Sequence, residues 1–141
     1  MTILLVRHAS AGERKEWNGD DRLRPLDELG QRQAEGLIEL LEPHRPSRVL
    51  SSGSVRCRET VEPLSRALGL PLEERVELAE GASADEVQRL AAQLRDDVAV
   101  LCTHGDVVED VLGEESEKGS TWIIRLEGGV LEPVEYLPPP A

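Results

Sequence analysis

An apolar run, Ile3-Leu4-Leu5-Val6, stops abruptly at Arg7-His8-Ala9. Such a run reads as a buried strand, which places Arg7 and His8 at its C-terminal end. In open α/β sheets ligands bind along that edge. An arginine beside a histidine there sets a fixed cation next to a potential nucleophile, the equipment that phosphoryl transfer uses. A strand that merely ends in two polar residues gives the same tripeptide, so further strand ends must decide.

A second apolar run, Val98 to Cys102, leads into Thr103-His104-Gly105 and sets another histidine at an equivalent position. The remaining histidine, His44, lies in Glu42-Pro43-His44-Arg45-Pro46, a proline-bracketed segment that reads as a surface loop. A third strand end falls at Arg48-Val49-Leu50-Ser51-Ser52-Gly53, followed by a helical pattern from Ser54 through Leu68. Arg56 then occupies the first turn of that helix. The helix N-terminus already carries positive partial charge, so an arginine there suggests an anion to be held. Arg58 is a competing candidate, with the solvated face as its simpler role.

Strands are expected near 2–6, 48–51, 98–102, 121–126 and 130–135, and helices near 28–42, 54–68, 84–96 and 106–112. This alternation predicts an α/β fold, a mainly parallel, doubly wound sheet flanked by helices in a single compact domain. Asp27 is placed to cap the first long helix, Gly69-Leu70-Pro71 ends the second, and Gly128-Gly129 joins the last two strands as a hairpin. The domain is expected to span 1–137, with 138–141 a proline-rich tail, disordered or extended.

Composition adds bounds. A chain of 141 residues buries roughly two-thirds of its unfolded surface around one core. With no Phe, and only Trp17, Trp122 and Tyr136 as aromatics, that core must be aliphatic. A net charge of −12 opposes nucleic acid and anionic membranes as partners, and it also repels phosphates unless local cations overcome it. No stretch approaches the ~20 apolar residues of a membrane span, and a basic lead with a long apolar region is not seen at the start, so a cytoplasmic location is expected. Cys57 and Cys102 read as two reduced thiols, and neither forms a metal motif. The acidic pairs Asp20-Asp21 and Glu114-Glu115 read as solvated loop residues. No metal or other cofactor is expected.

Four ordered motifs, Arg7-His8-Ala9, Arg24 to Ala34, Ser51 to Thr60 and Thr103-His104-Gly105, together resemble the phosphoglycerate-mutase-like histidine phosphatase superfamily, in its small SixA-like phosphohistidine phosphatase branch. Lys118-Gly119-Ser120-Thr121-Trp122 is also similar to the C-terminal phosphatase domain of two-domain proteins whose front domain is a Nudix fold. That front domain has no counterpart in these residues. The resemblance implies that His8, neutral at one ring nitrogen, attacks phosphorus to form a covalent phosphohistidine that water hydrolyses. It implies that Arg7, Arg56 and His104 hold the phosphate oxygens, His104 working best when protonated. Many relatives protonate the leaving group with a glutamate after the third strand, where Glu80 stands and Glu77 competes. Ser10 is a further candidate donor to the phosphate.

Departures from the family pattern bear on substrate. Ala9 replaces a common Gly and adds a methyl beside the nucleophile, while Ser54 replaces a usual Pro and is expected to loosen the turn presenting Arg56. The loop from Gly12 to Arg24 and the segment Glu114 to Lys118 are expected to flank the pocket. Their acidic residues favour a substrate carrying positive charge around its phosphate. Three readings follow: a phosphatase for phosphohistidine protein or a phosphorylated small molecule, a hydrolase for nucleoside diphosphates or related metabolites, or a phosphate-binding module without catalysis.

Overall fold

Strand β1 (Thr2–Arg7) lies inside a six-stranded sheet, where a run with no polar alternation can be covered on both faces. In the computed structural model, which describes residues 1–141, the other strands are β2 (Arg48–Ser51), β3 (Leu72–Glu74), β4 (Val98–Thr103), β5 (Thr121–Glu127) and β6 (Val130–Leu137). Their order is β3-β2-β4-β1-β5-β6. The first four of these pair in parallel, and β5 and β6 complete the sheet antiparallel.

Helices α1 (Glu28–Leu41) and α2 (Val55–Leu68) cover one face, and α3 (Ala84–Gln93) and α4 (Gly105–Leu112) the other. Leu4 and Val6 pack with Leu37, Leu41, Val61 and Leu64 of the first pair. Ile3 and Leu5 pack with Val87, Leu90, Val107 and Val108 of the second. The neighbours β1 and β4 therefore send their following helices to opposite faces. That divergence opens a crevice at their C-terminal ends, the usual place for a ligand in a doubly wound sheet.

Local chemistry sets the element ends. The Asp27 carboxylate accepts from Gly30 N at 2.8 Å and caps α1, whose buried residues Gln33, Ala34, Leu37 and Leu41 follow helical spacing. Gly69, in the left-handed region at φ 68°, ends α2. Gly128 and Gly129, also at positive φ, turn β5 into β6 as expected. In the tail, Pro140 lies over Gly36, where an added Cβ would sit 2.7 Å from the proline ring.

Two features differ from the pattern reading. β3 was not expected, because three residues, two of them glutamate, carry no period of their own and are ordered by pairing with β2. α3 ends at Gln93 rather than near 96, because Leu94 turns to extended backbone and enters the core. No helix is long and apolar enough to cross a membrane.

Candidate active site

The C-terminal ends of β1 and β4 open onto a cleft of about 470 Å³ with no hydrophobic residue in its lining, and the end of β2 lies beside them. β1 delivers Arg7 and His8, β4 delivers His104, and the turn after β2 leads to Ser52 and, in the first turn of α2, Arg56. The strand exit is pinned from two sides. Ala9 N donates to Thr60 Oγ1 of α2 at 2.9 Å, while Gly119 N donates to the carbonyls of Arg7 and His8 at 3.1 and 3.0 Å. The Ala9 methyl is buried among Ala11, Leu26 and Ala34.

His8 is 6% exposed and lines the cleft. Its Nδ1 lies 2.9 Å from its neighbour's carbonyl, Ala9 O, which can only accept, so Nδ1 carries the proton and Nε2 keeps its lone pair. Burial drives its pKa from 6.5 down to about 3; the Ala9 hydrogen bond opposes this, and the charges of His104, Arg56 and Arg7 add to it. The ring is thus neutral at physiological pH with one nitrogen available.

His104 stands edge-on to His8, with ring centroids 5.5 Å apart, so the two imidazoles are direct neighbours. Its Nε2 is 2.9 Å from Ser52 Oγ and 3.5 Å from Cys57 Sγ, and its Nδ1 is 3.4 Å from Arg56 Nη2. Ser52 and Arg56 thus fix the orientation of the ring from its two nitrogens.

The arginines are held in different ways. Arg7 donates through Nη1 to Ser116 O, and its guanidinium lies so close over Gly105 that a Cβ there would sit 2.7 Å from Cζ. Arg56 is 1% exposed; its Nη1 donates to Asp21 O at 2.8 Å, and its Nη2 lies 3.1 Å from Asp21 Oδ2 and 3.6 Å from Glu80 Oε2. The Nε–H of Arg7 and of Arg56 is buried without an acceptor. Arg7 lines the cleft, where an unmet guanidinium donor suits an oxyanion. Arg58 lies on the solvated face, paired with Glu62 and Glu74.

Asp21 is the residue that sequence reasoning missed. Read as solvated, it instead bridges three arginines, with Arg24 Nε at 3.0 Å, Arg56 at 3.1 Å and Arg14 at 3.4 Å. Burial raises its pKa, but the Arg24 hydrogen bond and the charges of Arg56, Arg24 and Arg14 outweigh this and hold it below the usual carboxylate range. Only the proximity of Asp21 to the Arg24-Pro25-Leu26 motif hinted at the role. Ser52, which holds His104, was equally silent.

Glu80 lines the cleft as expected, whereas Glu77 turns away to Arg75. Glu80 Oε2 accepts from Arg14 Nη2 at 2.5 Å. Burial pushes its pKa up, but this hydrogen bond and the charges of Arg14, His104 and Arg56 prevail and lower it. Ser10 stands apart from the proposed phosphate ligands: its hydroxyl donates to Asp27 Oδ2 at 2.7 Å and serves the start of α1. Residues from both expected flanks, Gly12, Glu13, Arg14 and Arg24 on one side and Glu115, Ser116 and Lys118 on the other, do line the cleft.

Residues 3–85 match the model of the histidine phosphatase superfamily (branch 1). A protein of Mycolicibacterium smegmatis named 8-oxo-(d)GTP phosphatase is 35% identical over 156 aligned residues, covering 99% of this chain and 48% of that protein. The chain thus spans about half the length of this relative. Among solved structures, the protein histidine phosphatase SixA complexed with tungstate superposes with a TM-score of 0.83 at 21% identity, covering 99% of this chain and 97% of that one. A phosphohistidine phosphatase SixA from Nakamurella multipartitia gives 0.79 at 22% identity, over 99% and 96% of the two chains. At these identities the structural likenesses speak to the fold.

Proposed function

Because the chain belongs to the histidine phosphatase superfamily, we propose that it is a phosphatase that passes a phosphoryl group first to His8 Nε2 and then to water. The supporting observation is a neutral His8 with its Nε2 lone pair available, facing His104 across a centroid distance of 5.5 Å. Nε2 forms the N–P bond as the bond from phosphorus to the leaving atom breaks, and the electron pair departs with that atom. Water then attacks phosphorus, the N–P pair returns to Nε2, and inorganic phosphate is released. Arg7, Arg56 and His104 hold the oxygens through this exchange, which supplies most of what phosphoryl transfer asks of a protein.

Glu80, held ionised by Arg14, has no proton to give at neutral pH. The reaction then favours leaving groups that depart with little acid help: the imidazole of phosphohistidine, an aryl oxide, or the phosphate end of a diphosphate. A positioned general acid contributes about 10²–10⁴-fold. At pH 7 without added metal, p-nitrophenyl phosphate should therefore turn over at least ~100-fold faster than glycerol phosphate, and Glu80→Gln should cost under ~10-fold on the aryl ester. Comparable rates on the two esters would contradict this.

A second reading is favoured by the relative named 8-oxo-(d)GTP phosphatase: a hydrolase for nucleoside diphosphates or related metabolites. Phosphate release from a nucleotide panel separates it from a phosphohistidine phosphatase. A non-catalytic binding module would bind phosphate without turnover. Arg7, His8 and His104 line one cleft, with Arg56 buried against His104 and Glu80, and that grouping argues against it.

A further inference from the structure

The cleft walls carry more positive charge than one phosphoryl group engages. Arg24 is committed to the Asp21 carboxylate and, through Nη1, to Ala11 O at 2.7 Å. Two other cations line the cleft, Arg14 and Lys118. Lys118 precedes the glycine whose N–H is tied to the carbonyls of Arg7 and His8, so it is tethered beside the nucleophile. Arg14 comes from a single 3-10 turn, Arg14–Glu16, that buries none of its residues. Gly12 at φ 66° and Gly19 at φ 108° bracket that turn, and neither has an atom near the position of a Cβ. The turn is thus carried over the cleft with little packing to hold it.

Arg14 is 58% exposed, and it contacts Glu80 Oε2 at 2.5 Å and Asp21 Oδ2 at 3.4 Å. A pair this exposed is held by about fivefold or less in population. A guanidinium fork on a phosphate or phosphonate is charge-assisted on both sides and geometrically matched, so it competes well with that carboxylate. Glu13, Asp106, Glu109 and Glu115 share the same walls. A second anion can therefore be held only where a cation meets it directly, which makes its affinity depend on Arg14.

We propose that Arg14 is a specificity-determining residue that exchanges Glu80 for a second anionic group borne next to the transferred phosphoryl, with Lys118 adding charge from beside His8, so that diphosphates are preferred over monophosphates. The proposal rests on the reading of this cleft as a phosphoryl-transfer site and deepens it by naming a substrate class. Calorimetric titration with methylenediphosphonate and with methylphosphonate compares two anionic groups with one and needs no turnover. The wild type should prefer the diphosphonate by about tenfold or more; Arg14→Ala should reduce that ratio to about twofold, and Arg14→Lys, which keeps the charge but loses the fork, should fall between. A wild-type ratio below about twofold, or a ratio in Arg14→Ala within about twofold of the wild type, would overturn the assignment. Turnover of p-nitrophenyl phosphate measured alongside tests the phosphatase reading separately: its absence from the wild type would overturn that reading, while the binding ratio still judges Arg14.

Discussion

Gly105 begins α4 directly against the Arg7 guanidinium, at 2.7 Å from where a Cβ would stand to both Cζ and Nε. The obstructing atoms are the far end of a flexible side chain, so Gly105→Ala should fold with a stability cost under ~1 kcal/mol while pushing Arg7 off its position. The expected outcome is a fall of about tenfold or more in kcat/KM with a nearly unchanged denaturant midpoint. Activity preserved in that variant would show that Arg7 is not held by this contact. His8 makes a second prediction at the same scale. Above pH 6.5 it is neutral in both the folded and unfolded chain and contributes nothing to pH dependence. Between 6.5 and about 3 the unfolded chain takes up a proton that the folded site refuses, so stability falls as pH drops, by about 1.4 kcal/mol per unit. From pH 7 to 5 the wild type should lose about 2 kcal/mol more than His8→Gln in denaturant melts. Parallel profiles would mean that the imidazole is protonated in the fold.

At the scale of elements, the start of α1 fastens the loop that leaves His8. Asp27 caps the helix at Gly30 N and accepts from Gly12 N at 3.0 Å and Ser10 Oγ at 2.7 Å. Asp27→Ala should cost about 1–2 kcal/mol by chemical denaturation, the upper end because three donors are stranded together. Elements with their own period or punctuation were readable from the chain: the apolar run of β1, the Asp27 cap, the left-handed Gly69, and the Gly128-Gly129 turn. β3 was not, because its order comes from pairing with β2 rather than from its own residues. The same distinction runs through the site. Arg7, His8 and His104 stand at the ends of apolar runs and announce themselves. Asp21, Ser52 and Arg14 gain their roles only when loops distant in sequence close over Arg56, His104 and Glu80, and no local pattern encodes that. Ser10 shows the converse: a hydroxyl beside the nucleophile was drawn instead to the nearest helix cap.

Across the whole molecule, a chain of net charge −12 gathers buried cations at one sheet edge and pairs them with Asp21, Glu80 and backbone carbonyls, leaving the Nε–H of Arg7 and Arg56 unmet. The divergence of α1 and α4 from neighbouring strands supplies the crevice, and two aliphatic layers fix the strands that present it. On the proposed reading, this geometry gives His8 the nucleophile's role. The direct test is acid-free quenching of p-nitrophenyl phosphate turnover within one catalytic cycle, followed by peptide mass spectrometry. A phosphoryl adduct on His8, absent from His8→Ala together with a loss of about 10³-fold or more in turnover, is the predicted result. Turnover in His8→Ala within about tenfold of the wild type, or an adduct on another residue, would contradict the account.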